Sequence, residues 1–193
     1  MCTTLIVPGL NGSGSDHWQH YWLQDDSGAR LVDQENWQCP FLADWLESFE
    51  QALANTDHAY VVAHSLGCIL VANMAGRPLA TKIRGALLVA PAQLERVEAL
   101  HPCIVSFGEA PISPLPFPSA VIGSDNDPYM TAEELELASS LWGSTHINLG
   151  SVGHINVASG FGRWSQGYDL MDRLKGAGLP NQISRVTDNR AFA

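Results

Sequence analysis

Residues 59–75 read AYVVAHSLGCILVANMA, and the organisation of the whole chain follows from this stretch. Ala59–Ala63 is apolar at almost every position, which predicts a strand buried on both faces of a sheet. Gly67–Ala75 is also mostly apolar, and its length and the stop at Gly76-Arg77-Pro78 favour a buried helix. The turn His64-Ser65-Leu66 therefore joins a buried strand to a buried helix.

Similar apolar runs recur along the chain and alternate with helical periodicities. The other predicted strands are Thr4–Pro8, Ala29–Val32, Gly85–Ala90, Ala120–Gly123 and Ile147–Leu149. The other predicted helices are Asp16–Leu23, the repeat Phe41, Trp45, Phe49 and Leu53, the segment after the capping box Thr131–Glu134, and the repeat Trp164, Tyr168, Met171 and Leu174. This alternation predicts a single α/β domain with about six mostly parallel strands and helices on both faces.

Two stretches do not follow this alternation. Pro91–Pro118 contains six prolines, and we expect it to be irregular and too short for a large cap domain. Residues 176–193 have no apolar periodicity, which predicts a flexible C-terminal tail after a domain formed by residues 1–175.

The composition fits one globular domain. Of 193 residues, 46% are hydrophobic and 16% are charged, against a usual charged share of ~25%. The net charge of -10 argues against nucleic acid or an anionic membrane as partner, since both need a basic face. No stretch reaches the ~18 apolar residues of a membrane helix. The start, Met1–Leu10, lacks the basic residues of a signal peptide, so we expect a cytoplasmic location.

The turn Ala63-His64-Ser65-Leu66-Gly67 has the features of a nucleophile elbow. Small residues two before and two after Ser65 allow a tight turn that exposes the hydroxyl at the end of the strand. The helix that follows directs its N-terminal amides at developing negative charge. We therefore predict that Ser65 is a nucleophile; the alternative is that it only caps the helix.

A serine nucleophile needs a histidine base, which in this chain order comes last. The histidines after Ser65 are His101, His146 and His154. His101 lies in the proline-rich segment and His146 at the start of the last strand, where a structural role is expected. His154 follows the last strand in a loop bracketed by glycines, and it is the predicted base; a surface loop histidine is the alternative.

The base needs an orienting acid after the penultimate strand. Asp125 and Asp127 both lie there, in Gly123-Ser-Asp-Asn-Asp-Pro128. Asp127 is favoured, because Pro128 stiffens the loop next to it. Asp125 is the alternative, and it also suits a turn residue that bonds to its own backbone.

Two backbone amides are expected to stabilise an oxyanion. One is that of Leu66, and the other comes from the loop after the first strand, where Gly9 allows a close approach and Leu10 or Asn11 presents its amide. This glycine-rich loop also invites comparison with a phosphate-binding loop. However, it lacks the Lys-Ser/Thr of a Walker loop and the G-x-G-x-x-G order of a dinucleotide fold.

No metal or cofactor site is predicted. His17 and His20 beside Asp16 have a spacing that suits two metal ligands on a helix, but no matching cluster of ligands accompanies them. We interpret Asp16 as the cap of the helix instead.

These motifs together resemble the small serine hydrolases related to retinoblastoma-binding protein 9, compact α/β-hydrolases. The matching segments span residues 4–175 and are Val7–Leu10 with His17-Trp18, Ala63–Gly67, Leu115–Ser119, Ser124–Tyr129, Gly153–Asn156 and Gly162–Leu170. The resemblance implies a Ser65–Asp127–His154 triad in an α/β-hydrolase domain without a large cap or a cofactor. The Leu-x-Cys-x-Glu peptide behind the family's name is absent from this chain, so no protein partner is inferred.

We therefore predict a serine hydrolase that cleaves a small carboxylic ester, thioester or amide. Leu10 and Leu66 are expected to form the oxyanion hole, and Asn11, His17, Trp18 and His64 to border the substrate. Acyl transfer to an acceptor other than water remains open. The alternative from another class is a non-catalytic binding module that kept the fold.

Overall fold

The computed structural model describes residues 3–101, 106–176 and 184–185. Within these residues the strands are β1 (Thr3–Val7), β2 (Ala29–Leu31), β3 (Ala59–His64), β4 (Ile83–Val89), β5 (Ser119–Gly123), β6 (Thr145–Asn148) and β7 (Ser184–Arg185). The α-helices are α1 (Trp18–Asp25), α2 (Leu42–Ala54), α3 (Leu66–Ala72), α4 (Leu94–Leu100), α5 (Ala132–Trp142) and α6 (Ser165–Gly176). Short 3₁₀ turns cover Pro78–Lys82 and Val157–Ser159. The six predicted strands are confirmed within a few residues.

The strands form one sheet in the order β2-β1-β3-β4-β5-β6-β7, and every pairing is parallel. The predicted single α/β domain with a parallel sheet is therefore confirmed. β3 lies near the centre, between β1 and β4. Because all strands run the same way, the loops that follow them meet at one edge of the sheet, which is where ligands bind in such folds.

Two apolar cores lie on the two faces of the sheet. Successive residues of β3 alternate between them: Val61 and Ala63 pack into one core and Val62 into the other. The first core is covered by α2, α3, α4 and α5, and the second by α1 and α6. All seven residues of α3 are buried, which explains why its sequence is apolar on every side. Among the described helices, none is both long and apolar enough to span a membrane.

The proline-rich segment is more regular than its composition predicts. Leu94–Leu100 forms α4, so the prediction of an irregular segment was wrong there. The reason is that the prolines bracket residues 92–101 without interrupting them. Gln93 caps the helix by accepting a hydrogen bond from the Arg96 amide, and the buried Leu94 and Val97 attach it to the first core.

The predicted tail is described only in part. Gly176 ends α6, and Ser184–Arg185 pair with the edge of β6 as a seventh, two-residue strand. The rest of residues 176–193 lies outside the described residues, so the predicted flexible tail and the boundary at residue 175 stay predictions.

Candidate active site

Ser65 lies in a strained turn between β3 and α3. Its backbone angles are φ 56° and ψ -125°, in a region that costs energy for a residue with a side chain. The turn is held by the Ser65 amide, which donates to the Val89 carbonyl of β4 at 3.0 Å. Gly67 is required for packing, because a Cβ there would lie 2.4 Å from the Val7 carbonyl oxygen. Ser65 makes no capping hydrogen bond with its side chain, so its hydroxyl is available for other contacts.

Two loops bring a histidine and a carboxylate to this hydroxyl. Nε2 of His154 lies 2.9 Å from Oγ of Ser65, although the two residues are 89 apart in the chain. Nδ1 of the same ring lies 2.8 Å from Oδ2 and 3.0 Å from Oδ1 of Asp127. The side chains of His154 and Asp127 are 7% and 4% exposed, so their interaction is shielded from water.

These contacts determine which ring nitrogen of a neutral His154 carries the proton. An ionised Asp127 can only accept, so Nδ1 of the ring is the donor to it. Nε2 is then the acceptor, and the Ser65 hydroxyl donates to it. Asp127 is held in turn by the Tyr129 amide, which donates to Oδ1 at 2.8 Å.

Asp125 has a different environment from Asp127. Its carboxylate accepts a hydrogen bond from Nδ2 of Asn148 at 2.7 Å, and its amide donates to the Gly150 carbonyl at 2.9 Å. These contacts attach the loop after β5 to the end of β6. The geometry therefore brings Asp127 to the imidazole and gives Asp125 a supporting position.

Side chains that the sequence analysis did not single out join the acid loop to the histidine loop. Oδ1 of Asn126 accepts from the Ser124 hydroxyl at 2.8 Å and from the Gly153 amide at 2.7 Å. Oγ of Ser124 accepts from the Val152 amide at 3.0 Å. The polar run Ser124-Asp-Asn-Asp127 carries a turn-forming signal, but its bonds to a loop 27 residues away carry no local signal.

The loop after β1 packs tightly against the elbow. A Cβ on Gly9 would lie 2.7 Å from Cβ of Ser65 and 3.1 Å from the Leu66 amide nitrogen. The Asn11 amide donates to the Trp37 carbonyl at 2.8 Å, so it is not available as an oxyanion donor. Among the described residues, no backbone carbonyl accepts a hydrogen bond from the Leu10 or the Leu66 amide. The geometry therefore favours Leu10 over Asn11 as the second donor beside Leu66.

Three of the four residues expected to border the substrate are buried. His17, Trp18 and His64 are 6%, 1% and 6% exposed, and their rings pack against one another. Nε2 of His64 bonds to the His154 carbonyl at 3.0 Å, and Nε1 of Trp18 donates to the Ile155 carbonyl at 2.8 Å. His64 and Trp18 thus bond to the histidine loop, and the ring of His17 packs against both of theirs. Contact of these three residues with substrate stays a prediction. The burial of these three side chains was not predicted, because the local sequence does not show which distant segments pack against them.

Asn11, the fourth of these residues, lies at the surface with a left-handed φ of 65°. It lines a cleft of about 240 Å³ between the glycine-rich loop, the start of α1 and Trp37. A second cleft, of about 330 Å³, is lined by part of the histidine loop together with Asn126 and Phe161. Ser65 and His154 do not line either cleft, so contact of Asn11 with substrate stays a prediction.

His17, not Asp16, caps α1. Nδ1 of His17 accepts a hydrogen bond from the Gln19 amide at 3.2 Å, which corrects the prediction of an Asp16 cap. Burial, assisted by the nearby His154 imidazole, lowers the pKa of His17 to about 4. A neutral ring suits this position because only the unprotonated Nδ1 can accept. Within the described ranges, no group of three or more His, Cys, Asp or Glu residues could hold a metal ion.

The other two histidines considered as the base are not at the hydroxyl. His101 ends α4 and its ring stacks at 6.4 Å on Tyr129, which itself packs at 4.5 Å against the His154 ring. His146 lies within β6, where burial lowers its pKa. His154 is the histidine that the structure places beside Ser65.

Comparisons with known proteins identify the family of this chain. The profile of a family described as serine hydrolase matches residues 4–173. The chain belongs to this serine hydrolase family. The predicted resemblance is thereby confirmed at the level of the family, and membership supports hydrolase activity. A search of curated proteins gave no significant match.

Solved structures show which hydrolases this member resembles. A YdeN-like hydrolase of Pectobacterium atrosepticum is 29% identical, with a TM-score of 0.76 over 90% of this chain and 89% of that one. The ydeN gene product of B. subtilis is 20% identical, with a TM-score of 0.70 over 89% and 97%. An esterase of Thermogutta terrifontis is 14% identical, with a TM-score of 0.61 over 91% and 88%, and shares the fold. These neighbours confirm the α/β-hydrolase fold of the serine hydrolase described here.

Proposed function

We propose that this chain hydrolyses a small carboxylic ester, thioester or amide through an acyl-enzyme on Ser65, with His154 as base and Asp127 as orienting acid. The observation that carries the proposal is the continuous chain of hydrogen bonds from the Asp127 carboxylate through the His154 ring to the Ser65 hydroxyl, at 2.8 and 2.9 Å. Nucleophile, base and orienting group within hydrogen-bond reach are the signature of an activated serine.

Acylation follows from this arrangement. Oγ of Ser65 attacks the carbonyl carbon of the substrate while its proton passes to Nε2 of His154. Asp127 stabilises the resulting imidazolium and keeps the ring oriented. The substrate oxygen gains the negative charge, and the Leu66 and Leu10 amides donate to it. When the intermediate collapses, the bond to the leaving group breaks and Nε2 returns the proton to that group.

Deacylation uses the same groups with water in place of serine. His154 takes a proton from water, the hydroxide attacks the acyl carbon, and the second tetrahedral intermediate collapses to the acid. The proton returns to Ser65. Each oxyanion donor contributes about 10²–10³-fold in kcat in enzymes of this type. No metal or cofactor is needed in these steps.

The charge of the protein indicates which class of substrate it favours. With 20 acidic against 10 basic residues, the protein favours neutral or cationic small molecules over anionic ones. The same acidity disfavours nucleic acid and anionic membranes as partners. We also propose a cytoplasmic location.

A fluorophosphonate probe tests the proposal directly. The native protein should form a covalent adduct at Ser65 and hydrolyse p-nitrophenyl acetate, and Ser65→Ala should lose both. His154→Ala should lose about 10⁴–10⁶-fold in kcat. The variant that combines Ser65→Ala with His154→Ala should lose no more than either single variant, because the two residues act as a unit. A folded native protein that neither reacts with the probe nor turns over esters would instead favour a binding module.

A further inference from the structure

The loop that carries His154 is held by side chains from two other elements. The His154 carbonyl accepts from Nε2 of His64, the last residue of β3, and the next carbonyl, that of Ile155, accepts from Nε1 of Trp18 in α1. Two consecutive carbonyls of the loop are thus bound by buried side-chain donors. Trp18 lies 137 residues from its acceptor and His64 lies 90 residues from its own.

The backbone around His154 needs such support. Gly153 and Ile155, on either side of it, have φ values of 67° and 50°. For a β-branched residue such as Ile155 a positive φ is strongly unfavourable. Such conformations persist only where surrounding contacts over-determine them. The two side-chain donors, and the Ser159 hydroxyl that accepts from the His154 amide at 3.0 Å, provide these contacts.

The chemistry of His64 suits a positioning role. A carbonyl oxygen can only accept, so Nε2 of His64 carries the proton. Burial, with the neighbouring His154 and His17 imidazoles, lowers the pKa of His64 well below its ordinary value. The ring therefore donates to the loop without placing a positive charge 4.8 Å from the His154 ring.

We propose that His64 and Trp18 are positioning residues that set the His154 imidazole against the Ser65 hydroxyl. His64 is the direct chain neighbour of Ser65, so its bond to the His154 carbonyl ties the nucleophile and the base into one unit. Trp18 holds the other side of the loop against α1. This inference rests on the proposed function, because it assigns the two side chains a purpose only if His154 acts on Ser65.

The expected consequence is a loss in kcat with little change in KM, because the proposed role of both side chains is to hold the His154 loop. A displacement of about 1 Å between reacting groups costs ~10²-fold in rate. Removal of either donor should therefore lower kcat by about 10- to 100-fold. A general loosening of the fold would instead lower the melting temperature without a selective effect on kcat.

The paired variants His64→Gln and His64→Met separate the donor from the packing. Nε2 of glutamine is as many bonds from the backbone as Nε2 of histidine, while methionine has the same length and no donor. We expect His64→Gln to keep kcat on p-nitrophenyl acetate within about threefold and His64→Met to lose 10- to 100-fold, at KM values within about twofold. Equal kcat values for the two variants would overturn the role of His64.

Trp18→Phe and Trp22→Phe give a second matched pair within α1, which serves if a His64 variant does not fold. Trp22 is 3% exposed and packs against Trp18 and Tyr168, without a hydrogen bond to the described residues of the loop. We expect kcat to fall at least tenfold in Trp18→Phe and less than threefold in Trp22→Phe. The same kcat in both, with Ser65-dependent turnover in the native protein, would overturn the inference and leave the proposed function standing. Native protein without Ser65-dependent turnover would overturn both.

Discussion

Gly9→Ala perturbs the contact between the oxyanion loop and the elbow by a single methyl group. An ideal Cβ at this position lies 2.7 Å from Cβ of Ser65, 3.0 Å from the His64 carbonyl oxygen and 3.1 Å from the Leu66 nitrogen. Carbon atoms in ordinary contact are ~3.5–4.0 Å apart, so the loop must withdraw from the elbow by about 1 Å. All three contacted atoms belong to the rigid elbow, which leaves the loop as the part that moves.

The withdrawal should impair catalysis selectively. The Leu10 amide follows Gly9 directly, so it moves away from the position of the oxyanion. Misplacement by about 1 Å and loss of one oxyanion donor each cost ~10²–10³-fold, and we expect kcat for Gly9→Ala to fall by about that factor. The effect is measured with p-nitrophenyl acetate, together with the rate of fluorophosphonate labelling of Ser65.

Gly14→Ala in the same loop is the matched control. A Cβ there has no heavy atom within 4 Å, so the variant should keep native kcat. Melting temperatures of both variants establish that the compared proteins are folded. If Gly9→Ala is folded and its kcat lies within threefold of that of Gly14→Ala, the loop is not where the oxyanion forms.

Three further predictions concern stability, the acid and the substrate. Burial holds the pKa of His17 at about 4 in the folded protein, while the unfolded chain takes up the proton near 6.5, so stability falls as the pH drops through 6.5 towards 4. From pH 7 to pH 5 this loss is about 2 kcal/mol at ~1.4 kcal/mol per pH unit. In urea unfolding, the free energy of unfolding of His17→Asn, which keeps a cap acceptor, should depend less steeply on pH than that of the native protein. Equal pH dependence in the two proteins would contradict the assignment. Asp127→Asn should lower kcat by ~10⁴-fold through the wrong tautomer of His154, whereas Asp125→Asn should lower it less than tenfold; equal losses would mean that the wrong carboxylate was chosen. Across p-nitrophenyl esters from acetate to palmitate, kcat/KM should peak at short chains without a rise at the micelle threshold, because the connection that bears α4 is short and bracketed by prolines; a maximum at palmitate would show that it opens as a lid.

The strands and the elbow could be predicted because their signals are local. Residues 59–63 and 85–89 lie in strands that are buried on both faces of the sheet, and both runs are apolar at nearly every position. The capping box of α5 is also local: the Glu134 amide donates to the Thr131 hydroxyl at 3.2 Å, and the Thr131 amide to Glu134 at 2.7 Å.

The supporting structure around the site could not be predicted in the same way. Trp18 and His64 are buried and bond to a loop that lies more than 80 residues away in the chain, and no local periodicity encodes that contact. His17 caps α1 because its ring is turned towards the Gln19 amide, and the sequence does not show this direction. Asp16, the predicted cap, is exposed at the surface. The position of α4 was not predicted because the proline content was judged over the whole of Pro91–Pro118, while residues 92–101 within it contain no proline.

The strained turn at Ser65 makes its proposed reactivity depend on the folded state. Its left-handed backbone is maintained only while β1, β3 and α3 are packed together, with Gly9 and Gly67 in close contact across them. A nascent, nicked or heat-damaged chain loses that packing and relaxes the turn, and its serine is then as unreactive as any other. The reactivity proposed for Ser65 is thus a property of the native state alone, and a misfolded copy does not transfer acyl groups. The rate of ester hydrolysis therefore measures the fraction of native protein more directly than the helix content does.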